Sequence, residues 1–431
     1  MTDRQAGVEE VPPGYKRTEV GVIPEDWKCT SLGAVVNLLT GFPFPSSGYT
    51  DSGILLLRGS NVKRGILDWE EEITKYWPYV TPEISRYELR EGDLVIAMDG
   101  ALVGRSYAVV SAADLPSLLL QRVARLRSSQ VHQDLLVWWI ASDSFAQYVD
   151  SVKTHTAIPH ISPRDIRDFT IVIPTELPEQ RAIAAALSDV GELIGALDAL
   201  IEKKRAIKQA AMQQLLTGKM RLPGFSSEWE TKRLGDVGVF SKGRGIKRDD
   251  VSDGGVPCIR YGELYTRYYN YVTTPVSRIP MTVAQTALPI KTGDLLFAGS
   301  GETAEDIGRC AAYLGDEQAY VGGDIIVLTP SGQNSMYLGY LMNCSSVAAQ
   351  KARLGQGDAV VHISATNLAR VEINLPPIDE QRAIATFLSD MDTEIAALER
   401  RREKAEQIKQ GMMQQLLTGR IPLVEPPEPA A

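Results

Sequence analysis

The sequence predicts a mixed α/β (α+β) protein in which two duplicated globular domains are separated by two long helices that pair as a coiled coil. Three observations lead there: a long repeat without gaps, an apolar seam within each copy, and a fainter set of shared residues ahead of each copy. Glu179 to Gly218 (EQRAIAAALSDV…MQQLLTG) aligns on Glu380 to Gly419 (EQRAIATFLSDM…MQQLLTG) at an offset of 201, with 24 identities in 40 columns. Two helices that merely share a composition would not agree so often, so the chain is internally duplicated.

The elements follow in order. Residues 1–176 are expected to form the first globular domain, 177–218 the first helix, 219–375 the second domain, 376–418 the second helix, and 419–431 a Pro-rich tail. In the first helix Ile183, Leu187, Val190, Ile194, Leu197 and Ile201 recur at steps of four and three. Ile384, Leu388, Met391, Ile395 and Leu398 do the same in the second, which is the spacing of a coiled-coil seam. Pro178 and Pro376-Pro377 open the helices and Gly218 and Gly419 close them. At about 1.5 Å per residue each helix should reach about 60 Å.

Both domains carry short β-rich runs (GILLLRG, GDLVIAM and DFTIVIP in the first; DLLFAG, DIIVLTP and VEINLP in the second) between helical stretches. Trp27, Leu32, Gly33 and Gly41 match Trp229, Leu234, Gly235 and Gly243 at an offset of 202, as do Arg58 with Arg260 and His160-Ile161-Ser162 with His362-Ile363-Ser364. Gly92-Asp93-Leu94 matches Gly293-Asp294-Leu295 at 201. A shared frame around dissimilar sequence fits one fold used twice to read two different things.

Composition narrows the function classes. At 44% hydrophobic and 23% charged residues the 431-residue chain is a globular, multi-domain protein. No apolar run approaches the roughly 20 residues of a membrane span, and the N-terminus lacks a signal core, so a cytoplasmic protein without membrane contact is expected. Four scattered cysteines and four scattered histidines suggest neither a disulfide framework nor a metal site. The net charge of -9 argues against a uniformly basic nucleic-acid coat.

Catalytic motifs are incomplete. DLLFAGSG (Asp294 to Gly301) echoes a glycine loop for S-adenosylmethionine, but its counterpart DLVIAMDG has Met98 where the second has Gly299, so it lacks a full glycine loop, and no NPPY-type motif follows. No GxxxxGK[ST] phosphate loop occurs. His160 and His362 read as structural, and Trp27 and Trp229 as packing residues. No catalytic residue is assigned.

The opening GYKRTEVGVIPEDWKCTSLGAVV, the later SSEWETKRLGDV, and the duplicated EQRAIA and MQQLLTG together resemble the type I restriction-modification specificity (S) subunits, over nearly the whole chain. That resemblance implies two target recognition domains, each reading one half of a bipartite, asymmetric site in double-stranded DNA. It implies that the helices form an antiparallel coiled coil, a ruler between half-sites that docks two methyltransferase (M) subunits. Those partners would bind S-adenosylmethionine and methylate adenine N6, and restriction (R) subunits would use ATP and Mg for translocation and cleavage. This chain would be non-catalytic and carry no cofactor.

Phosphates attract Lys and Arg, and base edges are read by Arg, Lys, Asn and Gln. The candidate DNA contacts are therefore Arg58, Ser60, Asn61, Lys63 and Arg64, with Lys153, Thr154 and Thr156 around His155, in the first domain. In the second they are Lys242, Arg244, Lys247, Arg248, Arg260, Tyr261, Arg267 and Gln356, the last in the loop Gly355 to Asp358. Residues 1–176 hold 17 Lys and Arg against 23 Asp and Glu, and residues 219–376 hold 16 of each, so weak DNA binding by the isolated chain is expected. A scaffold protein with protein-binding domains and a self-contained methyltransferase are the competing readings.

Overall fold

The computed structural model describes residues 11–357, 360–421 and 423. The Pro-rich tail beyond Leu423, Pro422, and Asp358 of the second polar loop lie outside them. The chain divides into two compact units, residues 1–196 with 401–431 and residues 197–400. Each long helix is thus shared between them, where the sequence suggested contiguous domains.

The first unit contains a five-stranded sheet in the order Asn37–Thr40, Val123–Arg127, Leu94–Ala97, Tyr107–Val109, Arg64–Gly65. Its neighbours are antiparallel except the last pair, which is parallel. In the second unit Gly238–Lys242, Ile325–Pro330, Leu295–Ala298, Cys310–Tyr313 and Tyr271–Val272 repeat that order and those directions. A smaller sheet in each holds a parallel pair, Ile54–Leu57 with Ser117–Leu119 and Val256–Ile259 with Ala319–Val321. The apolar runs LVIA and LLFA are buried on both faces, as continuous hydrophobic strands must be. Ahead of each, Gly92 and Gly293 adopt φ of +85° and +98°, and the carboxylates of Asp93 and Asp294 accept from the amides of Arg90 and Lys291.

The long helices run Leu177–Leu215 and Ile378–Leu416, with Gly218 and Gly419 just beyond them at φ +69°. In the first unit Ile183, Ala184 and Leu187 share a core with Trp27, Leu416 and Leu417. In the second, Ile384, Ala385 and Leu388 share one with Met212, Leu215 and Leu216. Within each unit the start of one helix meets the end of the other, so the pair is antiparallel. Ile194, Leu197, Ile201 and Ile395 are also buried, while Val190, Met391 and Leu398 are half-buried.

The repeated Glu-Gln at each helix start has a structural reason. Gln180 donates to the Pro174 carbonyl (2.8 Å) and accepts from the His132 amide (2.8 Å). Gln381 donates to the Pro376 carbonyl (2.8 Å) and accepts from the Asn334 amide (3.0 Å). Each buried amide ties its long helix to the helix Gln133–Ala141 or Ser335–Met342. The preceding glutamates diverge. Glu380, fully buried, takes both an Nε and an Nη2 bond from Arg221, whose guanidinium also lies 5.5 Å over the Trp229 ring. Glu179 bonds Trp27 instead, and desolvation, with Asp26 nearby, raises its pKa.

Candidate nucleic-acid interface

Two equivalent corners follow the parallel strands of the small sheets. At the first, the Arg58 amide donates to Asn61 Oδ1 (3.1 Å) and Arg58 Nη1 to the Ile73 carbonyl (3.3 Å). At the second, the Arg260 amide donates to Glu263 Oε2 (3.1 Å), with Nε and Nη2 on Oε1 at 3.1 Å each. A side chain three residues on thus closes the turn in both units, but with an amide in one and a carboxylate in the other.

The polar loops before His160 and His362 are closed alike. The Thr154 amide donates to the His160 carbonyl (3.0 Å), and the Gln356 amide to the His362 carbonyl (2.9 Å). Each histidine is pinned through Nδ1, to the hydroxyl of Thr154 or of Ser300, both at 2.9 Å. The fold brings loop and corner together in each unit. Asp99 bridges to His160, and a Cβ on Gly59 would lie 3.0 Å from its carboxylate. Tyr265, just after the Arg260 corner, donates to the carbonyl of Ser300 (3.0 Å), which pairs with His362.

Individual side chains are placed as follows. Ser60, Lys242, Arg244, Tyr261, Arg267 and Gln356 are exposed. Lys63 pairs with Asp68 (3.5 Å), and Lys153 with Asp150 (2.6 Å). Arg105 and Lys153 together hold the Asp150 carboxyl well below the usual carboxylate range. Thr156 shares a hydroxyl bond with Thr154 (3.1 Å) and donates to the Ile158 carbonyl (2.7 Å). Lys247, Arg248, Arg260 and Tyr261 converge on one cavity with Asp324.

Asn61 is a correction. It is 0% exposed, and its amide donates to the Asp68 carbonyl (2.9 Å) while its oxygen serves Arg58, so it organises the corner and presents nothing to DNA. Asn61→Ala should cost about 1–3 kcal/mol by removing a buried side chain's bonds to two part-buried backbone groups, against no more than about 0.5 kcal/mol for Ser60→Ala. Urea unfolding of both variants checks this; equal midpoints would refute it. Arg64 is exposed. It bonds the hydroxyl of Tyr107, whose pKa burial raises, in a groove of about 880 Å3 shared with Trp138, Glu406 and Lys409.

Sequence patterning missed Arg122. It is the one non-glycine with positive φ (70°) among the described residues, and it pairs with Asp99 (3.2 Å) beside the first corner. Its counterpart, by the same backbone bond to the strand end, is Asp324, so the two surfaces differ in sign at that point.

The glycine stretch near Gly301 is filled by protein. The Gly299 amide donates to the Asp324 carbonyl (2.7 Å), and a Cβ on Gly301 would meet the Tyr265 hydroxyl at 2.8 Å. Among the described residues no group of three His, Cys, Asp or Glu is placed to hold a metal ion, and no helix is long and apolar enough to cross a membrane.

Residues 226–410 match the family of type I restriction modification DNA specificity domains. The chain is similar to the EcoAI specificity subunit of Escherichia coli, 31% identical over 209 residues, which are 48% of this chain and 34% of that one, so the match spans about a third of that relative. It is 22% identical to the MjaVIII specificity subunit of Methanocaldococcus jannaschii, over 93% of this chain and 94% of that one. The fold is that of the solved type I S subunit from M. genitalium, at a TM-score of 0.58 and 14% identity, covering 91% of this chain and 96% of the other. The second half of the chain thus matches the type I DNA specificity domain, and nearly the whole chain is similar in sequence to a type I specificity subunit and in fold to a solved one.

Proposed function

We propose that this chain aims a modification enzyme at DNA. Each unit contacts one half of a bipartite, asymmetric site, and the paired helices set the spacing and offer equivalent surfaces to two N6-adenine methyltransferase subunits. S-adenosylmethionine belongs to those partners, ATP and Mg to restriction subunits, and this chain contributes recognition without catalysis. The observation that carries the reading is one frame bearing different chemistry at equivalent points, Arg58 on a backbone carbonyl against Arg260 on a carboxylate, and Arg122 against Asp324. A duplicated fold with diverged surfaces can read a site that is not a palindrome, which a symmetric dimer cannot.

The test is expression with the methyltransferase subunit in a host lacking both, followed by mapping of methylated adenines. One asymmetric bipartite motif is expected, absent when this chain is omitted. Methylation that is unaltered by omitting this chain would refute the reading.

A further inference from the structure

In the second unit a cavity of about 620 Å3 opens where three segments meet, around Lys247, Arg248, Arg260, Tyr261 and Asp324. Its chemistry turns on Arg260, whose side chain is 35% exposed, and on Glu263, at 6%. Glu263 Oε1 takes Nε and Nη2 of Arg260 and also the hydroxyl of Ser277, while Oε2 takes the Arg260 amide. The guanidinium is therefore held in one plane by a buried carboxylate. Among the described residues no hydrogen bond engages its Nη1.

What remains is the edge made by Nη1 and the outer hydrogen of Nη2, two nearly parallel donors in a fixed plane. Two ligand groups match such a fork, a phosphate and the O6/N7 edge of guanine. A cation already neutralised by a buried carboxylate adds little attraction for a phosphate, but it keeps its direction and loses little rotamer freedom on binding. Exposed Lys247 and Arg248 suit phosphates better, and Tyr261, 44% exposed, supplies an aromatic rim. In the first unit Arg58 has its Nη1 on the Ile73 carbonyl and a neutral amide in place of Glu263, so that corner presents another edge.

Resting on the specificity function proposed above, we propose that Arg260, clamped by Glu263, reads one guanine through O6 and N7 in the half-site contacted by the second unit. The test uses the complex with its methyltransferase subunits. The absence of any bipartite motif in mapped methylation would overturn the specificity reading and this assignment with it. With the motif known, duplexes carrying 7-deazaguanine at each of its guanines in turn test the contact directly. At one position the wild-type complex should bind about tenfold or more weakly, and Arg260→Gln should show no further loss there. Arg260→Gln/Glu263→Gln, which keeps the buried site neutral, should methylate with one position relaxed and the other half-site unchanged. A motif without guanine, or 7-deazaguanine tolerated at every position by the wild-type complex, would overturn the guanine assignment and leave the specificity function standing.

Discussion

Lys351→Met will make the second unit more stable at pH 7 and remove a rise in stability between about pH 8 and pH 10.5. Lys351 is 2% exposed inside the second core, and among the described residues its ammonium has one hydrogen bond, to the Gly308 carbonyl at 2.6 Å. Burial pushes its pKa from 10.5 down to about 8, with Cys310, Cys344 and Asp306 acting upward and Arg309 downward. A base with a depressed folded pKa penalises the native state wherever it must be charged. The penalty is complete below pH 8 and is relieved as pH climbs toward the unfolded value, so this group's contribution to stability rises through that window. At roughly 1.4 kcal/mol per unit the penalty is about 3 kcal/mol. Losing the Gly308 bond returns about 1 kcal/mol of it, leaving a net gain of about 1–2 kcal/mol. Urea unfolding at pH 7 and pH 10 measures both effects. A methionine variant less stable at pH 7 would show that the amine stabilises the core, and one that keeps the wild-type pH dependence would show that Lys351 is not its source.

Leu388→Ala will cost about 2–5 kcal/mol, the range for a fully buried leucine in a core that cannot collapse around the void. Leu388 is 0% exposed and packs with Met212, Leu215 and Leu216 from the end of the other long helix. Leu187 has the equivalent place against Leu416 and Leu417. Leu398, half-buried on the same seam, should cost distinctly less when truncated. Urea midpoints for the two alanine variants decide the point, and a Leu398→Ala loss as large as that of Leu388→Ala would contradict the burial difference.

The helices were legible because identity and periodicity reinforce each other along 40 columns, and Ile183, Leu187, Ile384 and Leu388 lie at the heart of the cores. The sheet order was not, because it depends on strands of two residues, Arg64–Gly65 and Tyr271–Val272, that join parallel edges across long separations. At the candidate interface the Arg58 and Arg260 corners and the two histidine loops could be paired from their echoes in sequence. Burial could not. Asn61 and Ser60 are adjacent polar residues, and only the course of the chain back to Asp68 shows that one is inside. Arg122 escaped notice because its counterpart has the opposite charge, so no echo marked it. Gly-Asp-Leu, by contrast, was preserved because the turn needs a left-handed glycine and a capping carboxylate whatever the surface reads.

The sharing of each long helix between both units also bears on how the chain can be divided. A fragment ending at Gly218 would keep Ile183 and Leu187 but lose Leu416 and Leu417, the residues that cover them. The complementary fragment would retain Leu388 without Met212 and Leu215. The gene's linear halves are therefore not the molecule's folding halves: each folded unit is stitched from two distant stretches, and a cut between the domains exposes both seams at once.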